Sequence, residues 1–183
     1  MKKLFLFLFA FVMMCSVAMA SDTQGYRGFV YANYLGGNDG VYTGWNDNGG
    51  GFYTTHGYQI NPRIFVGGGL GVQVHSMNNF NDTAVFVPIY ADARFDFPSS
   101  GTVTPFVELK IGYSAGDDYN GFHGSSLFGL KFNSGKRVKF NTFLGYTAQK
   151  YEYTTIFTYN GGALSVTDHA FDHNFVLGLG IEF

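Results

Sequence analysis

The 183-residue chain is poor in cysteine, proline and charge, and two of these shortages narrow its possible functions. Its one cysteine, Cys15, lies in an apolar segment at the N-terminus, so the remaining chain has no disulfide framework, cysteine metal site or thiol nucleophile. Charged residues make up 13% of the chain and the formal net charge is −2, which argues against a nucleic-acid partner. Proline is limited to four residues.

Long apolar runs are also absent after the run from Leu4 to Met14. That run follows the basic start Met1-Lys2-Lys3 and precedes Ala18-Met19-Ala20, which places small residues at the positions that a signal peptidase reads. It is short for a spanning helix, although an uncleaved anchor is the alternative interpretation. The sequence therefore predicts a cleaved signal peptide over residues 1–20 and one domain over residues 21–183.

Aromatic residues and glycine are abundant. Phe, Tyr and Trp make up 19% of the chain, and there are 26 glycines. A disordered glycine-rich chain would not carry so many aromatic side chains. Only helices and closed barrels satisfy every backbone polar group in lipid. A secreted, aromatic-rich chain without a long apolar run therefore has the composition of a membrane β-barrel.

The final stretch, Phe171 to Phe183, alternates with period two, as a strand with one apolar face does. Phe175, Leu177 and Leu179 lie on its apolar face. Seven earlier segments are also assigned as strands, at residues 25–35, 52–60, 63–75, 84–97, 104–115, 123–132 and 137–151. The expected fold is all-β, an eight-stranded antiparallel up-and-down transmembrane β-barrel.

Connections between these segments alternate in length. The predicted long connections cover residues 36–51, 76–83, 116–122 and 152–170, and short turns separate the other strands. Outer-membrane barrels combine long extracellular loops with short periplasmic turns in this way. A soluble lipocalin-like barrel is the alternative, with its apolar face pointing inward. Pro88 inside the fourth segment predicts a β-bulge, because proline cannot donate to the ladder.

The polar face of the segments carries charges of both signs, and we expect them to point into a narrow lumen. Such charges should form a paired network that plugs the barrel, while an ion-selective or gated pore is the alternative. Lumen width decides between the two. The predicted lumen charge network is Arg27, Asp92, Arg94, Asp96, Glu108, Lys110, Lys131, Lys139 and Glu182.

Histidines lie near predicted strand ends on the long-loop side. Imidazole with a neighbouring carboxylate could offer metal ligands, since it suits zinc or copper. Polar residues at a solvated rim are the commoner explanation, so we expect no metal and no cofactor. The residues concerned are His75, His123, Asp168, His169, Asp172 and His173.

The end of the chain resembles the closing strand of outer-membrane β-barrels. Gly178, Ile181 and Phe183 match the Gly-x-x-Φ-x-Phe pattern that the barrel-assembly machinery reads in that family, although Val176 stands where the family often has a polar residue. With the signal peptide and eight segments, the chain resembles the small "porin family" barrels. Residues 26–30, 55–59 and 105–113 resemble barrels of the Bacteroides group.

This resemblance implies an outer-membrane location and contact with outer-membrane lipid, including lipopolysaccharide. It also implies the barrel-assembly machinery as a partner and a monomeric protein. Architecture alone says little about activity. We expect a structural or surface-interaction role through four long extracellular loops, with a narrow channel for ions or small hydrophobic solutes as the alternative.

His123-Gly124-Ser125 resembles the His-x-Ser of small barrel lipases that deacylate lipid A. Those enzymes also need an acidic residue about one strand-length further on. The sixth segment continues through Lys131 without a carboxylate, and the turn after it has none. A lipid A-modifying hydrolase is therefore the least favoured function, and no enzymatic activity is expected.

Overall fold

The structure is a computed structural model that describes residues 24–38, 46–77, 82–116, 120–133, 138–159 and 162–183. The predicted signal peptide over residues 1–20 lies outside the described residues and stays a prediction. Among the described residues, no helix is long and apolar enough to cross a membrane.

Eight antiparallel strands form a closed barrel in which each strand pairs with its neighbours in sequence. β1 pairs with β8 from Phe29–Glu182 to Gly37–Asn174, which closes the sheet. The predicted eight-stranded up-and-down barrel is therefore confirmed. The strands are β1 Gly25–Asn38, β2 Asn46–Asn61, β3 Ile64–Met77, β4 Asp82–Asp96, β5 Val103–Gly116, β6 Gly121–Phe132, β7 Lys139–Tyr159 and β8 Gly162–Glu182.

Side chains alternate between the two sides of the wall, because successive residues of a strand point to opposite faces. Ile89 and Leu179 on the outside are 60% and 65% exposed, whereas Phe106 and Phe29 on the inside are almost fully buried. A belt of large apolar side chains this extensive is rare on water-soluble proteins. The predicted orientation, with apolar residues outside and charged residues inside, is the one the structure has.

The second strand, whose faces the sequence pattern left open, follows the same rule except at Thr54, which is buried although it lies on the outer face. Tyr53, Thr55 and Gln59 are buried, while Phe52 and Tyr58 are exposed. The polar and aromatic types are mixed on both faces of this strand, which is why the alternation could not be read from the sequence.

The prediction of a loop over residues 152–170 is wrong. β7 continues to Tyr159 and β8 begins at Gly162, and the two strands stay paired throughout, from Lys139–Glu182 to Tyr159–Gly162. The ten pairs from Lys150–Phe171 to Tyr159–Gly162 extend beyond the rest of the barrel wall, and we call this two-stranded segment the ribbon. The end of the barrel that carries it is the ribbon end, and the opposite end, at Pro62 and Phe183, is the turn end.

The other predicted long loops are also shorter than expected. Residues 39–45, 78–81 and 117–120 connect the strands at the ribbon end, while six residues, 97–102, connect β4 to β5 at the turn end. The predicted alternation of long and short connections is therefore wrong, because most residues assigned to long loops extend paired strands.

The β-bulge predicted at Pro88 is also wrong. Leu70 pairs with Ile89 and Gln73 pairs with Phe86, so β3 and β4 keep the same register on both sides of the proline. A register shift does occur between β2 and β3, at Gln59 and Asn61, next to the turn. Both backbone amides after that turn, at Arg63 and Ile64, donate to the Asn61 side chain.

Two glycines of β3 make room for aromatic rings inside the barrel. A Cβ atom on Gly69 would lie 2.7 Å from the Tyr90 hydroxyl oxygen, and one on Gly71 would lie 2.3 Å from the Tyr53 ring. The glycines at these two positions therefore serve inward packing.

Replacing Leu177 by Arg tests the assignment of the outer face. Leu177 is 55% exposed in the middle of the part of β8 that belongs to the wall, so a charge there should destabilise the barrel by about 2–4 kcal/mol if this position meets lipid near the midplane. Unfolding by urea in lipid vesicles measures the free energy. Val166 is 44% exposed on the ribbon, beyond the wall, so Val166→Arg is the matched control and should have little effect. Equal stability of wild type and Leu177→Arg would contradict the outer face.

Candidate functional site

The inside of the barrel holds the residues predicted as a lumen charge network. All nine lie on the inward-facing positions of their strands, and eight of them are at most 5% exposed. Lys139, near the turn end, is partly buried, with 14% of its side chain exposed. An ionised group so poorly hydrated is costly unless other groups pair with it, so its contacts decide what the lumen can do.

Close ion pairs fill the half of the lumen at the turn end. Arg27 Nη1 lies 2.7 Å from Glu182 Oε1, and Arg94 Nε lies 2.8 Å from Asp96 Oδ1. Lys131 Nζ donates to the other oxygen of Asp96. Arg94 Nη2 is 3.6 Å from Glu182 Oε2, which links the two pairs across the lumen.

A second group of charges occupies the middle of the lumen. Lys110 Nζ lies 2.5 Å from Glu108 Oε1 and 3.4 Å from Asp92 Oδ2. Tyr31 donates its hydroxyl to Glu108 at 3.1 Å, and Arg94 Nη1 is 3.9 Å from the same carboxylate. Lys139 Nζ lies 3.8 Å from Glu182 Oε1. The two groups therefore form one connected network, in which five cations face four anions.

Aromatic rings pack between the charges, and the sequence analysis gave them no role. The Arg94 guanidinium carbon lies 3.6 Å from the centroid of the Phe106 ring, and Lys110 Nζ lies 4.3 Å from that of Tyr31. These cation–π contacts stabilise buried cations. The available signal was the presence of Phe29, Phe106 and Phe143 on strand faces that are otherwise polar.

The half of the lumen at the ribbon end is polar with fewer charges. His75 Nδ1 lies 3.7 Å from Asp172 Oδ2, and Asn174 donates to the same oxygen at 2.7 Å. His123 and Gln149 share a hydrogen bond of 2.9 Å. All five side chains are buried. The expectation that the histidines lie on a solvated rim is therefore wrong for His75 and His123.

The possible metal ligands at this end do not converge. Asp172 is buried in the lumen, whereas its neighbour His173 is exposed on the outer face, where its ring contacts the Tyr146 hydroxyl. His169 is exposed, and the Asp168 side chain lies outside the described residues. Within the described ranges, no group of three or more His, Cys, Asp or Glu residues could hold a metal ion.

The His-x-Ser pair does come together, although inside the barrel. Ser125 Oγ lies 3.5 Å from His123 Nε2, and Gln149 takes the place of an orienting acid at His123 Nδ1. An amide can orient an imidazole but cannot stabilise its charged form as a carboxylate does. Ser125 also shares a 2.8 Å hydrogen bond with Thr147, and both candidates face away from the outer surface where lipid would approach.

A closed wall of eight antiparallel strands, an apolar exterior and a charged interior together form the architecture of small outer-membrane β-barrels. No protein-family model and no curated protein sequence matches this chain. Solved structures of that class do match its fold.

The crystal structure of Neisserial surface protein A (NspA) is similar, with a TM-score of 0.56 and 14% sequence identity over 86% of this chain and 94% of that one. The solid-state NMR structure of outer membrane protein AlkL in DMPC lipid bilayers gives a TM-score of 0.50 and 17% identity, over 91% of this chain and 93% of that one. At these identities the likeness shows the fold alone.

Replacing Lys110 by Met tests the energetics of the network. Asp92 and Glu108 would keep their buried charges without their common partner, so the free energy of unfolding should fall by about 3–5 kcal/mol. Unfolding in detergent micelles, followed by the heat-induced shift in gel mobility, measures the loss. Lys150→Met is the matched control at a partly exposed position, where the same change should cost little. A Lys110→Met protein as stable as wild type would show that the pairs contribute nothing.

Proposed function

We propose that this chain is an integral outer-membrane barrel whose lumen is plugged and whose work is done by its extracellular surface. The observation that carries the proposal is the near-complete burial of the charged side chains that meet across the lumen. A water-filled passage would hydrate these groups and leave them exposed. Instead they pack against one another and against aromatic rings such as Phe29 and Phe106, whose centroids lie 5.1 and 3.6 Å from the Arg94 guanidinium carbon.

The outer-membrane location is supported by the apolar belt and by the fold shared with NspA and AlkL. In that orientation the turn end faces the periplasm and the ribbon end faces the outside. Outer-membrane lipid then surrounds the belt, including lipopolysaccharide in the outer leaflet. Gly178, Ile181 and Phe183 supply the signal for the barrel-assembly machinery, and the protein is a monomer within its own membrane.

The surface role is proposed because a filled lumen leaves the extracellular surface as the part of the protein that other molecules can reach. The ribbon is the largest described element outside the wall, with ten residue pairs between β7 and β8 beyond the barrel. Exposed segments held on a rigid scaffold are common carriers of binding functions. A plugged barrel that carries such a ribbon holds a binding segment at the membrane surface and does not act as a channel.

A narrow channel is the second candidate, and one observation favours it. Four buried side chains at the ribbon end each have a polar atom without a hydrogen-bond partner among the described atoms: Gln73 Oε1, Ser114 Oγ, Gln149 Nε2 and Asn174 Oδ1. Buried polar atoms of this kind are commonly satisfied by water. Water in the half of the lumen at the ribbon end would still be separated from the turn end by the charge network. A channel therefore requires the network to open.

Recordings in planar lipid bilayers separate the two functions. The wild-type protein should show no stepwise conductance, because the charge network and its aromatic neighbours close the lumen. Arg94→Ser combined with Asp96→Ser removes one charge of each sign from the network and should produce conductance steps, which proves that the assay detects an opened lumen. Steps from the wild type would contradict the plug.

Incubation with lipid A tests the absence of enzymatic activity. Mass spectrometry should show no loss of acyl chains, because His123 and Ser125 are enclosed and His123 Nδ1 contacts the Gln149 amide, with no acidic partner among the described residues. Ser125→Ala is the control. Deacylation by the wild type that disappears in Ser125→Ala would overturn the non-enzymatic role.

A further inference from the structure

The ribbon has two backbone edges that no described strand covers. Pairing between β6 and β7 ends at His123–Gln149, and pairing between β8 and β1 ends at Gly37–Asn174. β7 and β8 stay paired with each other for the ten pairs beyond Gln149, a length of roughly 30 Å along the strand. A row of unpaired N–H and C=O groups is a template for another strand.

The outer part of the β7 edge lacks the features that usually protect such a template, whereas Lys150 and Glu152 place charges at its base. Residues 153–159 read Tyr-Thr-Thr-Ile-Phe-Thr-Tyr, without charge, proline or glycine. The pairing with β8 keeps one register along the whole ribbon, so no bulge twists the edge away. The β8 side carries Asp168 and His169 in its sequence. A short uncharged segment rich in β-branched and aromatic residues is the type that pairs with copies of itself.

We propose that the β7 edge of the ribbon pairs with the same edge of a second copy of this chain held in an apposed membrane. The inference rests on the proposed function, since the ribbon has to stand at the extracellular surface. The two strands run antiparallel about a two-fold axis at Ile156, which places Thr155 opposite Phe157 and Tyr153 opposite Tyr159 of the other copy. No like charges meet in this arrangement, and both copies use the same surface.

The position of β6 in the barrel wall determines whether the second copy lies in the same membrane or in a facing one. The space beside the β7 edge lies beyond the last pair that β6 makes with β7, at His123–Gln149. A second copy in the same membrane would have the same orientation, so its β7 would run parallel to β7 of the first copy. The part of that strand nearer the turn end would then collide with β6. A copy in a facing membrane enters from outside, runs antiparallel and stops above β6.

Cysteine cross-linking tests the pairing directly, because Cys15 lies in the predicted signal peptide and an introduced cysteine would be the only thiol in residues 21–183. Ile156 on β7 pairs with Ser165 on β8, so Ile156→Cys and Ser165→Cys sit at the same level on opposite edges. Each variant is reconstituted into two liposome populations with different fluorescent labels and mildly oxidised. Disulfide dimers that join the two labels should form with Ile156→Cys and be lost with Ser165→Cys.

Liposome clustering, followed by light scattering, tests the same edge without cysteine. Thr155→Lys with Phe157→Lys places like charges opposite each other across the two-fold axis and should abolish clustering. The matched control, Leu164→Lys with Val166→Lys, alters the partners of these residues on β8 and should leave clustering intact. Heat-modifiable gel mobility confirms that each variant is folded.

Three results would overturn the inference: dimers confined to one labelled population, equal cross-linking through position 165, or wild-type liposomes that do not cluster. None of them affects the proposed function if the wild-type barrel remains silent in planar bilayers. Conductance by the wild type would instead overturn the plug, whatever the ribbon does.

Discussion

Closure of the sheet by β1 and β8 is the constraint on which the rest of the structure depends. In hydrocarbon an unpaired edge would leave a row of backbone groups without partners, so all eight strands have to join in one ring. The backbone of Phe183 bonds that of Gly28 in both directions, at 2.8 and 2.9 Å, and extends this seam to the turn end. The ring of Phe183 covers Gly28, where a Cβ atom would lie 2.3 Å from the ring.

Once eight strands close, the lumen has to be filled, and in this chain charged and aromatic side chains fill it. Removing the ions from water is compensated by short contacts such as Arg27–Glu182 and by aromatic faces such as Phe106 beneath Arg94. Glycine at inward positions, such as Gly69 beside Tyr90, makes the large rings fit. The composition of the chain, rich in both glycine and aromatics, follows from this packing inside a narrow ring as well as from the lipid outside.

Period two was sufficient to predict the strands and to place all nine charged residues on the inner face, because lipid imposes a strict alternation on each wall strand. The same rule failed where lipid no longer acts. Residues 152–170 carry polar residues at both odd and even positions, such as Thr154 and Thr155, so the sequence looks like a loop although the backbone stays paired. His75 and His123 were assigned to the rim because the predicted strands ended at these two residues. The observed strands extend two residues further toward the ribbon end. The contacts of Gln149 with His123 depend on register between β6 and β7, which no single-strand pattern contains.

The seam between the first and last strands also has a consequence for biogenesis. Arg27 and Glu182, which meet across it, are 155 positions apart in the chain. Contacts between residues so distant in sequence slow folding, because most of the chain has to be ordered before they form. A nascent polypeptide still lacking β8 carries β1 with one side bare, so the ring cannot close during translation. Closure of the barrel is therefore a step that follows synthesis, and the topology alone sets this order.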